Sequence, residues 1–423
     1  MNILPMTSDS SREVHPQAGP PTNFVGIDAI RAFAAIAVVV LHALVPYLKH
    51  PMPGLVWSVS DSPSSFADGV FWSIELFVMP LFLIIAGVLT FQSWQRRNDA
   101  NQLVRSRAKR LLRPLFFAVL VILPIDLYIW VLGWVSEGLV PLVKMKSLKF
   151  DDSLSKDLWG LSHLWFLHYL FSYVVIFAGF MVVRQKIARL KNLTLSMPAI
   201  VACCWIIASL VILFRPEVIW GFQHAFAPVA SKWIYNGCFF VIGVAIANFD
   251  PSMIRLRSIS PRWAAVAACT LLLTVPLGIW SLDSGSEISR ASSVTLAVMT
   301  ATSSLLVSVM LVSMALRRIA PLPRSIQYVA AGSFWIYLIH HPVLSLVHID
   351  LKYLLPTASP MLKATIATLI ATGVSLATYE VFIRKSRLGG WLGMNWVPVQ
   401  EDDRESILSF DRQPDQPPIR RAA

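Results

Sequence analysis

Charge is what this chain has least of. Only 14% of its 423 residues are Asp, Glu, Lys or Arg, against about a quarter in an ordinary soluble domain. That shortfall excludes a water-facing globular fold for most of the sequence. Cysteine is scarce too: Cys203, Cys204, Cys238 and Cys269 all fall in apolar runs, without the spacing of a zinc site or a disulfide framework. They read as small buried hydrophobes, and no metal is expected. The first 23 residues are rich in Ser and Pro and lack the basic-then-apolar order of a cleaved signal. No stretch repeats itself in the manner of secondary transporters. Acidic residues are outnumbered, 24 against 36 Lys and Arg, for a formal charge of +12. The excess falls in alternate connections between apolar runs, so it reports topology and no nucleic-acid partner is expected.

What the chain does have is hydrophobic length: 56% of its residues are hydrophobic and the mean hydropathy is +0.62. Ten apolar runs stand out, at about 27–48, 70–94, 114–135, 160–183, 197–213, 229–248, 263–282, 291–316, 326–348 and 362–383. The expected fold is therefore an all-α polytopic membrane protein with ten transmembrane helices and both termini cytoplasmic. That topology puts about 25 of the 36 Lys and Arg inside. Lys144, Lys146, Lys149 and Lys156, in the long connection 136–158, run against the rule, as long outer segments often do. Residues 1–23 are expected to form a disordered cytoplasmic lead, 24–396 the membrane domain and 397–423 a disordered tail. The location expected is the inner (plasma) membrane, with the lipid bilayer as partner; oligomeric state is left open.

The first run, GIDAIRAFAAIAVVVLHALVPY, carries Asp28, Arg31 and His42. Ionisable groups inside a spanning helix are costly and usually mark function. Arg31 and His42 are eleven positions apart, so they return to within about 20° of one face and stand about 16 Å apart along the axis. One face then holds a cation near one membrane surface and an imidazole near mid-depth, with Asp28 spaced to pair with Arg31. The bland alternatives are an Arg that snorkels as an anchor and a His that packs. An imidazole suits general-base activation of a hydroxyl, or could carry an acyl group transiently.

The densest basic segment, RRNDANQLVRSRAKRLLRP, follows the second run. Arg107, Lys109, Arg110 and Arg113 there could anchor a phosphate-bearing donor at the inner face; the plain alternative is topogenic charge. Glu75, placed in the outer third of span two, could orient His42, bind acceptor hydroxyls or face water. Asp126 lies near the middle of span three. His163 and Trp165 open span four at the outer interface. His340 and His341 are adjacent, ~100° apart on a helix, so only His340 is expected to line the acceptor side. Pro342 is expected to break the helix at His341. Tyr379 and Glu380 read as structural, and most of the Trp residues as interface anchors.

These residues carry a resemblance. GIDAIRAFAAIAVVVLH resembles the first-helix signature of the membrane-bound acyltransferase-3 family, in which ten residues separate an Arg and a His. FLIIAGVL, KRLLRP, SHLWFLHYL, FWIYLIHHPV and TYEVFIR follow in order, and the likeness runs from about 24 to 396. Within the family the chain is most similar to the branch that succinylates osmoregulated periplasmic glucans. The resemblance implies ten spans, cytoplasmic acyl-CoA as donor, a periplasmic acceptor hydroxyl and no permanently bound cofactor. It assigns Arg31 and His42 to the essential pair, and Arg110 and Arg113 to donor binding. It raises the case for His163 and Trp165 at the acceptor side. Two departures stand out: Ala86-Gly87 where Ser-Gly is usual, and an acid at Asp126. Two other readings stay open here, a glycan or lipid-linked-intermediate transporter using the buried charges as a proton relay, and a non-catalytic scaffold.

Overall fold

Among the described residues, ten helices long and apolar enough to span a membrane account for the ten apolar runs. The structure, a computed structural model, describes residues 25–147, 160–187, 195–223, 225–285, 288–317 and 322–394. The lead 1–23 and the tail 397–423, with Lys149 and Lys156, lie outside the described residues. The spans are α1 (Val25–Leu44), α2 (Ser65–Arg97), α3 (Ala100–Ser136), α4 (Trp165–Lys186), α5 (Met197–Phe214), α6 (Ala230–Phe249), α7 (Arg262–Ser284), α8 (Arg290–Leu316), α9 (Arg324–Leu354) and α10 (Pro360–Ile383). A short helix, α11 (Arg387–Leu392), follows. Among the described residues there is no strand. An even number of spans puts both ends of the domain on one side, the side that carries the arginines of the α2–α3 connection.

That connection corrects the sequence reading. From Ala100 on, the basic segment is not a loop; it is the first half of a helix continuous with span three. Asn98 takes the left-handed conformation (φ 47°) to end α2, and the next residue, Asp99, caps α3 by accepting from the amides of Asn101 and Gln102. Pro114 sits inside α3 and is followed by one wide π turn at Ala118–Ile122, where the chain absorbs the missing bond.

A second correction concerns Pro342. The helix does not break there: α9 runs unbroken from Arg324 to Leu354. Pro342 has no N–H to give the carbonyl four residues back, so Leu338 O is released from the helix ladder. The functional site uses that carbonyl.

α1, α2 and α9 form the interior of the bundle, whereas α5 and α7 lie outermost: 72% of the apolar window of α9 is buried, against 17% for α5. α2 and α6 pack at backbone distance through a glycine pair. A Cβ on Gly87 would lie 2.2 Å from Phe240 O, and one on Gly243 would lie 2.1 Å from Ile84 O. Small residues at helix crossings are the main device for close packing in lipid. α8 contributes hydroxyls as interhelical partners: Ser304 accepts from Tyr235, Thr300 from Trp220, and Ser308 donates to Phe77 O.

The connection after α1 folds back over the end of the bundle opposite the arginines. Asp61 there ion-pairs with the fully buried Lys363 of α10 at 2.8 Å. Burial pushes the Asp61 carboxyl up, but hydrogen bonds from Lys363 and from the amide and hydroxyl of Ser62 outweigh it, holding the group below its ordinary 3.8. A depressed folded-state pKa stabilises above the unfolded value and is lost as pH falls through the folded one. Asp61→Ala leaves an ammonium buried without its counter-charge and should cost about 3 kcal/mol. In melts of detergent-solubilised protein, the Tm difference from wild type should be largest near neutral pH. It should close below about pH 4, as Asp61 protonates.

Candidate active site

The α1 face seen in the sequence faces α9. Arg31 Nη2 lies 3.5 Å from Ser333 Oγ, and His42 Nδ1 lies 3.3 Å from His340 Nε2. Arg31 and His42 therefore do share a face, and α1 and α9 run in the same direction along it. Asp28 pairs with Arg31 at 3.1 Å in an exposed setting, so it positions the guanidinium from outside the bundle. Along the span Gly26–Tyr47, His42 stands about 24 Å from the basic end of a run about 32 Å long.

Backbone carbonyls set the tautomers. His42 Nδ1 lies 2.9 Å from Val38 O, so it carries the hydrogen and Nε2 the lone pair. His340 Nδ1 donates to Ile336 O and Tyr337 O, at 3.1 and 2.8 Å, which leaves its Nε2 to accept from His42. His42 Nε2 has no hydrogen-bond partner among the described residues. His340 is 0% exposed, but His42 is only partly buried. His42 is the histidine of this pair that a substrate can reach.

His341, left out by the helical-wheel argument, enters the same cluster. Neighbouring positions do diverge by ~100°, but α1 inserts between the two directions. The His340 and His341 ring centroids are 5.0 and 5.2 Å from that of His42. His341 Nδ1 donates to Asp126 Oδ2 at 2.7 Å, with both residues buried. Asp126 is thus the local partner of His341, and Ser345 Oγ adds a contact to its other oxygen at 3.5 Å.

His163 completes the cluster, its ring stacked on His341 at 4.7 Å. Its Nε2 donates at 3.0 Å to Leu338 O, the carbonyl that Pro342 released. The Tyr337 hydroxyl donates to the His163 carbonyl. Ser162, just before it, takes a positive φ of 48°; so strained a conformation in a non-glycine residue persists only where its surroundings impose it.

Tryptophans flank the cluster on the side away from the arginines. Trp57, carried in by the connection after α1, lies 4.6 Å from the His341 ring and donates to His348 Nδ1 at 3.0 Å. Trp134 of α3 holds the Trp57 carbonyl, and Trp130 donates to Ser345 Oγ. His341, Trp57 and Trp130 went unrecognised as site residues in the sequence. A Trp inside a Pro- and Gly-rich connection, and the i,i+4 pair Trp130/Trp134, were the available signals.

Other expected residues part company. Glu75 does not touch His42; it faces Lys232 of α6, whose ammonium sits 4.1 Å from the centroid of Trp165. Arg107 donates to Leu89 O of α2, and Arg113 to Trp391 O of α11 while lying over the Trp391 ring. Lys109 and Arg110 are exposed on the basic face. Two of the four proposed donor anchors therefore also hold helices together.

Asp126, His163 and His341 each offer a ligand-type atom, all within 4.8 Å of one another. Such a donor set could take a transition metal. The 2.7 Å contact between Asp126 and His341 is, however, a charge-assisted hydrogen bond, whose proton an ion would have to displace. The arrangement as it stands suits proton handling: a reachable imidazole with a lone pair, a second imidazole behind it, and a carboxylate–imidazole pair beside it.

Comparison with curated proteins and with solved structures returned no match. Comparison with family models matched the acyltransferase domain of the acyltransferase-3 family over residues 24–380. That stretch takes in the nine helices from α1 to α9 and most of α10, with the histidine cluster and both arginine sites. The chain thus belongs to the acyltransferase-3 family, as a multi-pass membrane acyltransferase.

Proposed function

We propose that the protein is an inner-membrane O-acyltransferase that moves an acyl group, succinyl or acetyl, from cytoplasmic acyl-CoA to a hydroxyl of an extracytoplasmic glycan, as in the glucan-succinylating branch. The observation that carries this reading is the shared α1 face. Arg31 lies near the basic end, His42 about 16 Å further along it, and both are seated against α9. A donor held by its phosphates at Arg31, Lys109 and Arg110 has its reactive end directed toward His42. An acceptor from the opposite side meets His42 without crossing the bilayer.

His42 Nε2 takes the acceptor's hydroxyl proton as that oxygen attacks the thioester carbonyl. The C–S bond then breaks and the proton passes to the departing thiolate, leaving an ester and free CoA. In a two-step version Nε2 itself bonds the acyl carbon and expels the thiolate, and the acceptor oxygen then displaces the imidazole, its proton passing by way of Nε2 to the thiolate. Either way positive charge builds on His42. It is stabilised by Val38 O and His340 Nε2 at its Nδ1, and by the Asp126 carboxylate held beside it through His341.

The test is transfer in sealed vesicles with labelled acyl-CoA on the basic side and glycan on the other. Label should appear on the glycan, and mass spectrometry gives the acyl group from the mass gained. Glycan flux that needs no acyl-CoA, with no label transferred, overturns the proposal. Arg31→Ala should raise KM for acyl-CoA about tenfold, the value of one charge-assisted hydrogen bond, and leave the acceptor KM unchanged.

A further inference from the structure

Around Trp165, two residues on from His163 of the cluster, lie two charges with no ion-pair or hydrogen-bond partner among the described residues. Glu75 of α2 and Lys232 of α6 are both partly buried and close enough for their charges to interact. Yet among the described residues no ion pair within 4.0 Å joins them and neither makes a side-chain hydrogen bond. Opposite charges inside a bundle ordinarily collapse onto each other, because an unpaired charge away from water is expensive. The Lys232 ammonium rests on the Trp165 ring, 4.1 Å from its centroid, and Trp165 follows His163 of the cluster by two residues.

A third polar group is on hand. Asn236, one turn along α6 from Lys232 and 3% exposed, donates to Lys232 O at 2.8 Å, while its Oδ1 is buried without a partner. A buried acceptor left unsatisfied is costly unless something occupies it. The charge pair thus offers a carboxylate that accepts, an ammonium that donates and an aromatic face, with an unpartnered amide oxygen one turn along α6.

The geometry points to a subsite for an uncharged polyhydroxylated ring, the acceptor sugar next to the one acylated. It is bound through adjacent hydroxyls that bridge Glu75 and Lys232, with Asn236 Oδ1 as a further acceptor and Trp165 as the platform. This rests on the acyltransferase reading and narrows its acceptor class. A hydroxyl both donates and accepts, so it can satisfy both charges at once. An anionic ligand would meet Glu75, and a cationic one Lys232, so the charge pair selects a neutral ring.

The experiment uses the full-length protein, with a β-linked glucose tetramer and its monodeoxy analogues as acceptor probes. Hydrolysis of acyl-CoA in the absence of acceptor reports the donor half separately. Glu75→Gln and Lys232→Met should each raise the acceptor KM about tenfold and leave donor hydrolysis and the acyl-CoA KM unchanged. The deoxy analogue that loses the bridging hydroxyl should lose about tenfold with wild type, but bind the Glu75→Gln protein no worse than the tetramer does. Lys232→Arg, which keeps charge and packing, should retain most of the acceptor affinity and controls for misfolding. The proposal is overturned if both variants leave the acceptor KM unchanged. It is overturned equally if Lys232→Met instead raises the KM of a dicarboxylic acyl donor alone, which would make Lys232 a reader of the acyl group. Wild type that binds the tetramer but neither hydrolyses nor transfers acyl-CoA defeats the acyltransferase reading and leaves the subsite standing.

Discussion

His42→Ala should lower acyl transfer by about 10³-fold or more, the range lost when a general base or a covalent carrier is removed. The protein should remain folded. His42 is only partly buried; its hydrogen bonds run to one imidazole and the carbonyl of its own helix turn, and the Trp57 and His341 rings lie 6.2 and 5.2 Å from its own. The Tm should therefore move little. Comparing His42→Ala with His340→Ala separates the two imidazoles. His340 meets His42 through the Nδ1 side and is 0% exposed, so it acts by orienting His42, and its loss should cost about tenfold to a hundredfold. Trapping of labelled acyl on wild-type protein in the absence of acceptor would select the two-step route; its absence, with transfer intact, would select the direct one. Full activity in His42→Ala would remove the base from the mechanism altogether.

The architecture was legible because the bilayer imposes a coarse code: a run of about twenty apolar residues can only be a spanning helix, and basic residues mark one side. The Arg31–His42 relation was legible for a similar reason, since helical periodicity within one element is rigid. What stayed hidden was relation between elements. The wheel argument excluded His341 because it considers one helix alone, and the Asp126 carboxylate that claims His341 belongs to α3. Trp57 could not be placed because nothing local says that a connection will fold into the bundle. Pro342 misled in another way. It was read as a break at His341, through the restriction a proline puts on the residue before it. The consequence was not a break, because His163, 175 residues away in sequence, takes the released carbonyl. Glu75 was seen as a site candidate, but its counterpart Lys232 lies in a span whose charge reads as an ordinary helix-end lysine.

Asp126→Asn should lower kcat about 10²- to 10³-fold with little change in the KM of either substrate. The carboxylate and the amide have nearly the same shape, so packing under Trp130 and Ser345 is retained. What changes is charge and hydrogen-bond polarity. The carboxylate can only accept, so it holds the proton on His341 Nδ1. The amide can present its NH₂ group instead and favour the other tautomer, and it brings no negative charge to offset the imidazolium that forms at His42. The loss should thus fall on the transition state alone. Asp126→Asn combined with His341→Ala should be no slower than the worse of the two single variants, because both break one unit. A purely structural Asp126 would give a different pattern: a lowered Tm, both KM values raised, and losses that multiply in the double variant. A metal held by Asp126, His163 and His341 would give a third pattern, with wild-type activity lost to a chelator and restored by zinc. Activity that ignores the chelator yet falls steeply in Asp126→Asn identifies the carboxylate as the group that keeps the histidine cluster ready to accept a proton.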